Sequence, residues 1–133
     1  MRNSRREIAL VRQFRYPLNE TTWELPAGGV EPGESNLQAA KRELQEECEL
    51  TARDWKHVGD MRPLPNVTDF KATLFLAEDL VDSPNLEEKS ETQETDLVRF
   101  FSSDELMELV REGKLTDEKT LAALTMLTSV DTK

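Results

Sequence analysis

Cysteine, histidine, basic runs and long apolar stretches are nearly absent from this chain, and each absence removes a class of protein. The single cysteine, Cys48, rules out an internal disulfide. Its place among apolar residues at helical spacing makes it a buried thiol, in keeping with a reducing cytoplasm. No run of lysine or arginine exceeds two residues, while 27 acidic against 17 basic residues give a net charge of −10. A protein that grips RNA or DNA by its phosphates normally carries a basic patch, so no nucleic-acid partner is expected. Arg2, Arg5 and Arg6 lead into Glu7 rather than a sustained apolar segment, so no signal peptide is legible. No stretch is long and apolar enough to span a membrane either. No repeat and no clear linker divides the chain, and 133 residues suffice for a single domain, 1–133, with one core and little to spare. The only histidine, His57, falls in an expected strand far along the chain from the main acidic cluster and is read as non-catalytic.

What the chain has in abundance is acid, and one group of acids is spaced for a purpose. Glu43, Glu46 and Glu47 lie in the run Arg42-Glu43-Leu44-Gln45-Glu46-Glu47, downstream of Ala27-Gly28-Gly29. On a helix these three share one face. Like charges so placed cost roughly 0.2–0.5 kcal/mol per i,i+4 pair, and a hard divalent cation taking oxygen ligands is the usual reason to accept that cost. At about 100° per residue, Leu37, Ala40, Leu44 and Cys48 form a separate apolar stripe that can pack on a sheet while the acids face a cleft. Ser35 and Gln38 make a capping-box pair that starts the helix after the turn Glu31-Pro32-Gly33-Glu34, with Glu34 in reach of Arg42. Each part alone has a plain reading as solvated surface; their conjunction points to a magnesium site.

Residues 8–16 alternate and are rich in β-formers, 22–25 read as a second strand, and 26–33 as the turn into the acidic helix. Residues 55–60 and 70–77 read as strands on either side of a proline-marked loop, 61–69. The polar, acidic segment 82–96 reads as a loop and 97–101 as a last strand. Ser103 is expected to cap a helix over 104–111 that Gly113 ends, and Thr116 or Asp117 to cap a final helix reaching about residue 128.

Written as spacing, Gly28, five residues, Glu34, seven residues, then Arg42-Glu43-Leu44-x-Glu46-Glu47-x-x-Leu50 resembles the Nudix box, G-x5-E-x7-R-E-U-x-E-E-x-G-U, where U is bulky and aliphatic. One fixed position differs, since Glu49 stands where the family has glycine. Glycine there ends the helix in a left-handed conformation, which costs a non-glycine residue roughly 1–2 kcal/mol. The departure bears on the exit of the helix more than on the metal ligands. The resemblance implies an α/β Nudix fold, a mixed β-sheet sandwiched between helices (α/β/α). It implies Mg²⁺, with Mn²⁺ able to substitute, held by Glu43, Glu46, Glu47 and the backbone carbonyl of Ala27. Glu46 and Glu47 are then catalytic, and Glu34 and Arg42 support them. The plain alternative for Arg42 is an intrahelical partner for Glu46 at i+4. The chemistry needs such ions, because a diphosphate repels an attacking water until cations neutralise it and lower the pKa of that water.

The run Val11-Arg12-Gln13-Phe14-Arg15-Tyr16-Pro17, followed by Glu24-Leu25-Pro26-Ala27-Gly28-Gly29, resembles the ADP-ribose pyrophosphatase branch of that family, as does Pro65, 15 residues beyond Leu50. The resemblance implies substrate binding by Arg15, Glu24, Gly28 and Gly29; a solvent-facing strand residue is the other reading of Arg15. Phe70 stands where the branch has a glutamate that helps with substrate, which weakens specificity for ADP-ribose. Phe14, Tyr16, Trp23 or Phe70 could stack on a base, although a core or interface role is the commoner one for each. The branch often draws its general base from an acidic loop before the last strand, here containing Glu87, Glu88, Glu91 and Glu94. Alignment by the strand that follows favours Glu94, then Glu91, with solvated surface charge as the alternative. The expected function is hydrolysis of ADP-ribose, a small-molecule nucleoside diphosphate, to AMP and ribose 5-phosphate. A nucleotide sugar or dinucleotide is the alternative substrate, and a catalytically weak nucleotide-binding module the alternative to an enzyme. Similar domains carry another strand, and often a small domain, before the segment matching Ile8-Ala9-Leu10-Val11. Only seven residues precede it here, so an exposed sheet edge and a homodimer covering it are expected.

Overall fold

The computed structural model describes residues 1–82 and 95–131. The elements run β1 (Ile8–Arg15), β2 (Glu20–Glu24), α1 (Asn36–Cys48), β3 (Leu50–Met61), β4 (Ala72–Asp82), β5 (Thr95–Phe101), α2 (Ser103–Arg111) and α3 (Glu118–Asp131). β1 is the middle strand of an antiparallel sheet ordered β2-β1-β5, and β3 pairs with β4 in a second antiparallel ladder.

Ile8, Ala9, Leu10 and Val11 are all buried, as befits a strand covered on both faces. Ala9 and Val11 pack with Leu44 and Cys48 of α1. Ile8 and Leu10 pack with Phe101, with Leu106 of α2 and with Leu121 and Leu124 of α3. Sheet and helices therefore layer as α/β/α, the expected α/β architecture. Leu10, Val11, Phe101 and Leu115 are essentially sealed from water, each contributing about 1.5–3 kcal/mol by burial.

The ends of α1 follow from local chemistry. Ser35 accepts from the backbone N–H of Gln38, and the Gln38 side chain accepts from that of Ser35, so both halves of the capping box form. At the other end Glu49 adopts φ 58° and ψ 28°, the left-handed conformation expected of the glycine it replaces, and its N–H donates to Gln45 O. The buried side of α1 differs from the expected stripe. Ala39, Leu44 and Cys48 are buried, whereas Leu37 and Ala40 are half-buried. The face turned to the sheet thus lies closer to Glu43 and Glu47 than apolar spacing alone indicates, and both acids are half-buried.

Other boundaries moved. Ser102, not Ser103, caps α2, because Ser102 stands three residues before Glu105 and the two close a reciprocal capping box. Asp117 caps α3, accepting from the N–H of Thr120 at 2.8 Å. β3 and β4 extend to 50–61 and 72–82 because each supplies the other's ladder across a register shift between His57 and Gly59. Cross-strand pairing carries β3 through Arg53-Asp54, where the β pattern is weak. On the flank of β1 where an open edge was expected, the N-terminal residues turn back. Ala9 N–H donates to Met1 O at 3.2 Å and Arg2 N–H to Ala77 O at 2.9 Å, so residues 1–2 bridge β1 to β4. The Arg2 guanidinium seals the join on Glu78 at 2.7 Å.

Candidate functional site

Strand alternation delivers polar side chains to one end of the α1-facing side of the sheet. After Ala9 and Val11 come Gln13 and Arg15 on β1; Thr22 and Glu24 of β2 stand opposite Gln13 and Val11. Gln13, Thr22 and Glu24 are buried. Arg15 grips Glu24 with two hydrogen bonds, Nε to Oε1 at 2.8 Å and Nη2 to Oε2 at 2.6 Å, and Thr22 Oγ1 donates to Oε1 at 2.6 Å. This fork-to-carboxylate geometry is the strong kind, and the Arg15 hydrogen bonds hold the Glu24 carboxyl below its usual range. Arg15 is therefore more than a solvent-facing strand residue.

Arg42 is the hub of the helix face. Its Nε meets Glu34 at 3.1 Å, Nη1 meets Glu43 at 2.7 Å and Glu46 at 3.2 Å, and Nη2 donates to the Gly29 carbonyl at 2.8 Å. Arg42 thus pairs with Glu46 at i+4, and it also ties the glycine turn to the helix. Its hydrogen bonds lower the Glu34 pKa, and Glu34 and Glu43 in turn raise that of Arg42. A Cβ on Gly28 would overlap the Glu43 carboxylate where it now stands, so any larger residue would displace that side chain.

Glu47 is the exception among the three acids. Its hydrogen bonds come from neutral donors, Gln13 Nε2 at 3.2 Å and the Ala27 N–H at 3.1 Å. Burial pushes its pKa up to about 7, with the charge of Glu43 adding to the rise against the two hydrogen bonds. Among the described residues no group of three acidic, histidine or cysteine side chains is gathered closely enough to hold an ion; Arg42 draws Glu43 and Glu46 toward itself. The donor chemistry nonetheless suits a hard cation. It is all oxygen, one carboxylate is desolvated beside another, and the Glu43 carboxylate lies directly against Gly28.

A cleft of about 840 Å³ opens beside this cluster. Arg15, Glu24, Ala27, Gly28, Gly29 and Glu43 line it; Glu47 reaches the same turn through Ala27, while Glu46 stands 58% exposed. Phe70 lines the cleft from the loop before β4 and is exposed. Trp23 is a core residue, edge-on to Phe101 at 5.0 Å, whereas Phe14 and Tyr16 are exposed. His57 pairs with Asp60 at 3.5 Å and does not itself line the cleft. Glu87, Glu88, Glu91 and Glu94 lie outside the described residues.

Sequence reasoning missed four contributors. Gln13 was legible as a polar residue at an inward strand position. Asp117, Lys119 and Thr120 were not: Asp117 and Lys119 line the cleft, and Thr120 accepts a hydrogen bond from Leu25 N–H at 2.9 Å across 95 positions of sequence.

Comparison with known proteins places the chain in a family. The NUDIX domain family model matches residues 1–124. An ADP-ribose pyrophosphatase of Bacillus subtilis (strain 168) is 36% identical over 123 residues, which cover 91% of this chain and 65% of that protein. A methanol dehydrogenase activator of Bacillus methanolicus is 30% identical over 121 residues, again 91% of this chain and 65% of the relative. The chain therefore spans slightly less than two thirds of the length of these relatives. In fold it is similar to the crystal structure of an ADP compounds hydrolase, with a TM-score of 0.80 at 22% identity over 92% of this chain and 65% of the other.

Proposed function

The chain belongs to the NUDIX domain family, and from that premise we propose that it is a Mg²⁺-dependent pyrophosphohydrolase that cleaves ADP-ribose to AMP and ribose 5-phosphate. The observation that carries the reading is Glu47, a desolvated carboxylate with neutral hydrogen-bond donors beside Glu43 and the glycine turn. Glu43, Glu46, Glu47 and the Ala27 carbonyl would hold a divalent cation there, which would neutralise charge at the diphosphate and lower the pKa of an attacking water. The remaining roles fall to the chain itself. Arg42, clamped by Glu34, orients Glu43 and the Gly29 carbonyl; Glu24 orients Arg15 toward a substrate phosphate; Gly28 and Gly29 let the diphosphate approach the backbone. Glu94, with Glu91 second, takes the proton of the attacking water, a role supported by resemblance alone.

One observation favours a wider choice of second moiety. Phe70, in the place of the branch's glutamate, lines the cleft with an apolar ring, so nucleotide sugars and dinucleotides are the second substrate reading. The test is a panel of ADP-ribose, nucleotide sugars and diadenosine polyphosphates, with Mg²⁺, with Mn²⁺ and with EDTA, scored by release of phosphomonoester. Fastest turnover on ADP-ribose, lost in EDTA and restored by either ion, supports the reading. Tight binding without turnover of any of them would make the chain a binding module.

We further place the enzyme in the cytoplasm as one domain and a homodimer, acting on small molecules rather than nucleic acid. Phe14, Tyr16 and Leu18, exposed near the β1–β2 turn, support an interface. No described helix is long and apolar enough to cross a membrane. A monomeric mass by light scattering at micromolar concentration would remove the dimer.

A further inference from the structure

An anionic substrate needs cations, and in this chain of net charge −10 the arginines of the site are already engaged. Arg15 is held on Glu24 by two short bonds, and Arg42 is shared among Glu34, Glu43, Glu46 and Gly29. Withdrawing either would leave carboxylates of the site without their partner, which is costly where they are buried. Each can offer substrate only its remaining N–H groups, from a place its carboxylates dictate. The cleft also contains two lysines, Lys71 and Lys119. Lys71 Nζ lies 3.4 Å from Asp60, next to the β3–β4 ladder.

Lys119 stands differently. Its Nζ is 3.4 Å from Asp117 Oδ1 and its side chain is 40% exposed. The other oxygen of Asp117 takes both the N–H and the hydroxyl of Thr120, each at 2.8 Å, so Asp117 keeps its hydrogen bonds if the lysine swings away. The backbone beneath is fixed. Thr120 is fully buried and its hydroxyl oxygen accepts from Leu25 N–H at 2.9 Å, two residues before Ala27. The start of α3 is thereby pinned to the turn that carries Ala27-Gly28-Gly29, and the charge of Lys119 is felt by Glu24.

We propose that Lys119 is a substrate-binding residue whose ammonium takes a phosphate oxygen of the bound nucleoside diphosphate, with Asp117 and Thr120 fixing where it stands. This rests on the reading of the chain as a nucleoside-diphosphate hydrolase. The test compares wild type, Lys119→Met, Lys119→Arg and Lys114→Met, a control lysine paired with Glu112. Two constants are read for ADP-ribose: the Kd in EDTA by titration calorimetry and the KM with Mg²⁺. Lys119→Met should raise both by about tenfold or more, the loss expected of one charge-assisted hydrogen bond, and the difference should shrink at high salt. Lys119→Arg should stay within about threefold, because charge and donor survive, and Lys114→Met should match wild type, with all four melting alike. Unchanged Kd and KM in Lys119→Met overturn the assignment and leave the hydrolase reading standing. A wild type that neither binds nor cleaves any nucleotide of the panel ends both.

Discussion

The two sides of the cleft are assembled over very different distances along the chain. On the α1 side, Glu34, Arg42, Glu43, Glu46 and Glu47 fall within 14 residues of sequence and meet through one helix and its cap. On the α3 side, Asp117, Lys119 and Thr120 reach the same turn through a single hydrogen bond to Leu25. The first side is rich in charge and held by a hub, so its substitutions should act mainly on electrostatics. The second packs through Leu121 and Leu124 and meets the turn at the buried Thr120 hydroxyl, so its substitutions should act mainly on placement and stability.

The largest expected effect tests the electrostatic side. Glu47→Gln, and likewise Glu46→Gln, should lower turnover by about a thousandfold or more if these acids carry the cation chemistry, with circular dichroism unchanged; wild-type rates in both would erase the distinction between the two sides. Next comes the pH response of the metal-free chain. Glu47 in the folded state has its pKa pushed from 4.5 to about 7, so the fold prefers it protonated. The stability it contributes is fully present below about pH 4.5 and is lost as pH rises through 7. In EDTA, wild type should therefore fall behind Glu47→Gln between pH 5 and 8, by on the order of 2 kcal/mol once partial solvent screening is allowed for. A constant gap across that range, read from urea midpoints, would contradict the assigned burial.

Thr120→Val probes the other side. It leaves Leu25 N–H without its acceptor and takes from Asp117 one of its two bonds to Thr120, the backbone N–H remaining, and should cost about 1–3 kcal/mol, with Thr120→Ser recovering most of it. If Val is neutral, the α3 side is held by packing rather than by the hydroxyl. The smallest effect lies at the exit of α1. Glu49→Gly removes left-handed strain but loosens the unfolded chain, for a net gain of about 0.5–1 kcal/mol. A loss would show that the Glu49 side chain contributes more than its backbone costs.

Legibility follows the same division. The α1 box, the Ser35 cap and the Arg42 contacts with Glu34 and Glu46 could all be read beforehand, because helix geometry converts sequence separation directly into distance; the left-handed exit at Glu49 became visible only in the structure. Strands were harder. β3 and β4 run past their expected ends because a ladder is stabilised by its partner, and Arg53-Asp54 carries no local signal for that. The cap of α2 is Ser102 and not the expected Ser103, and the three-residue spacing to Glu105 is the local signal that identifies it.

The amino-acid order alone carried the motif by which the family is recognised, and its periodicities of two and 3.6 residues set the alternation of β1 and the shared face of Glu43, Glu46 and Glu47 on α1. Tertiary structure decided which of those acids loses its water, that the Glu43 carboxylate lies against Gly28, and that a threonine 95 positions away holds the end of β2. Desolvation and long-range hydrogen bonds depend on what other segments bring to the same point, and no local pattern encodes that.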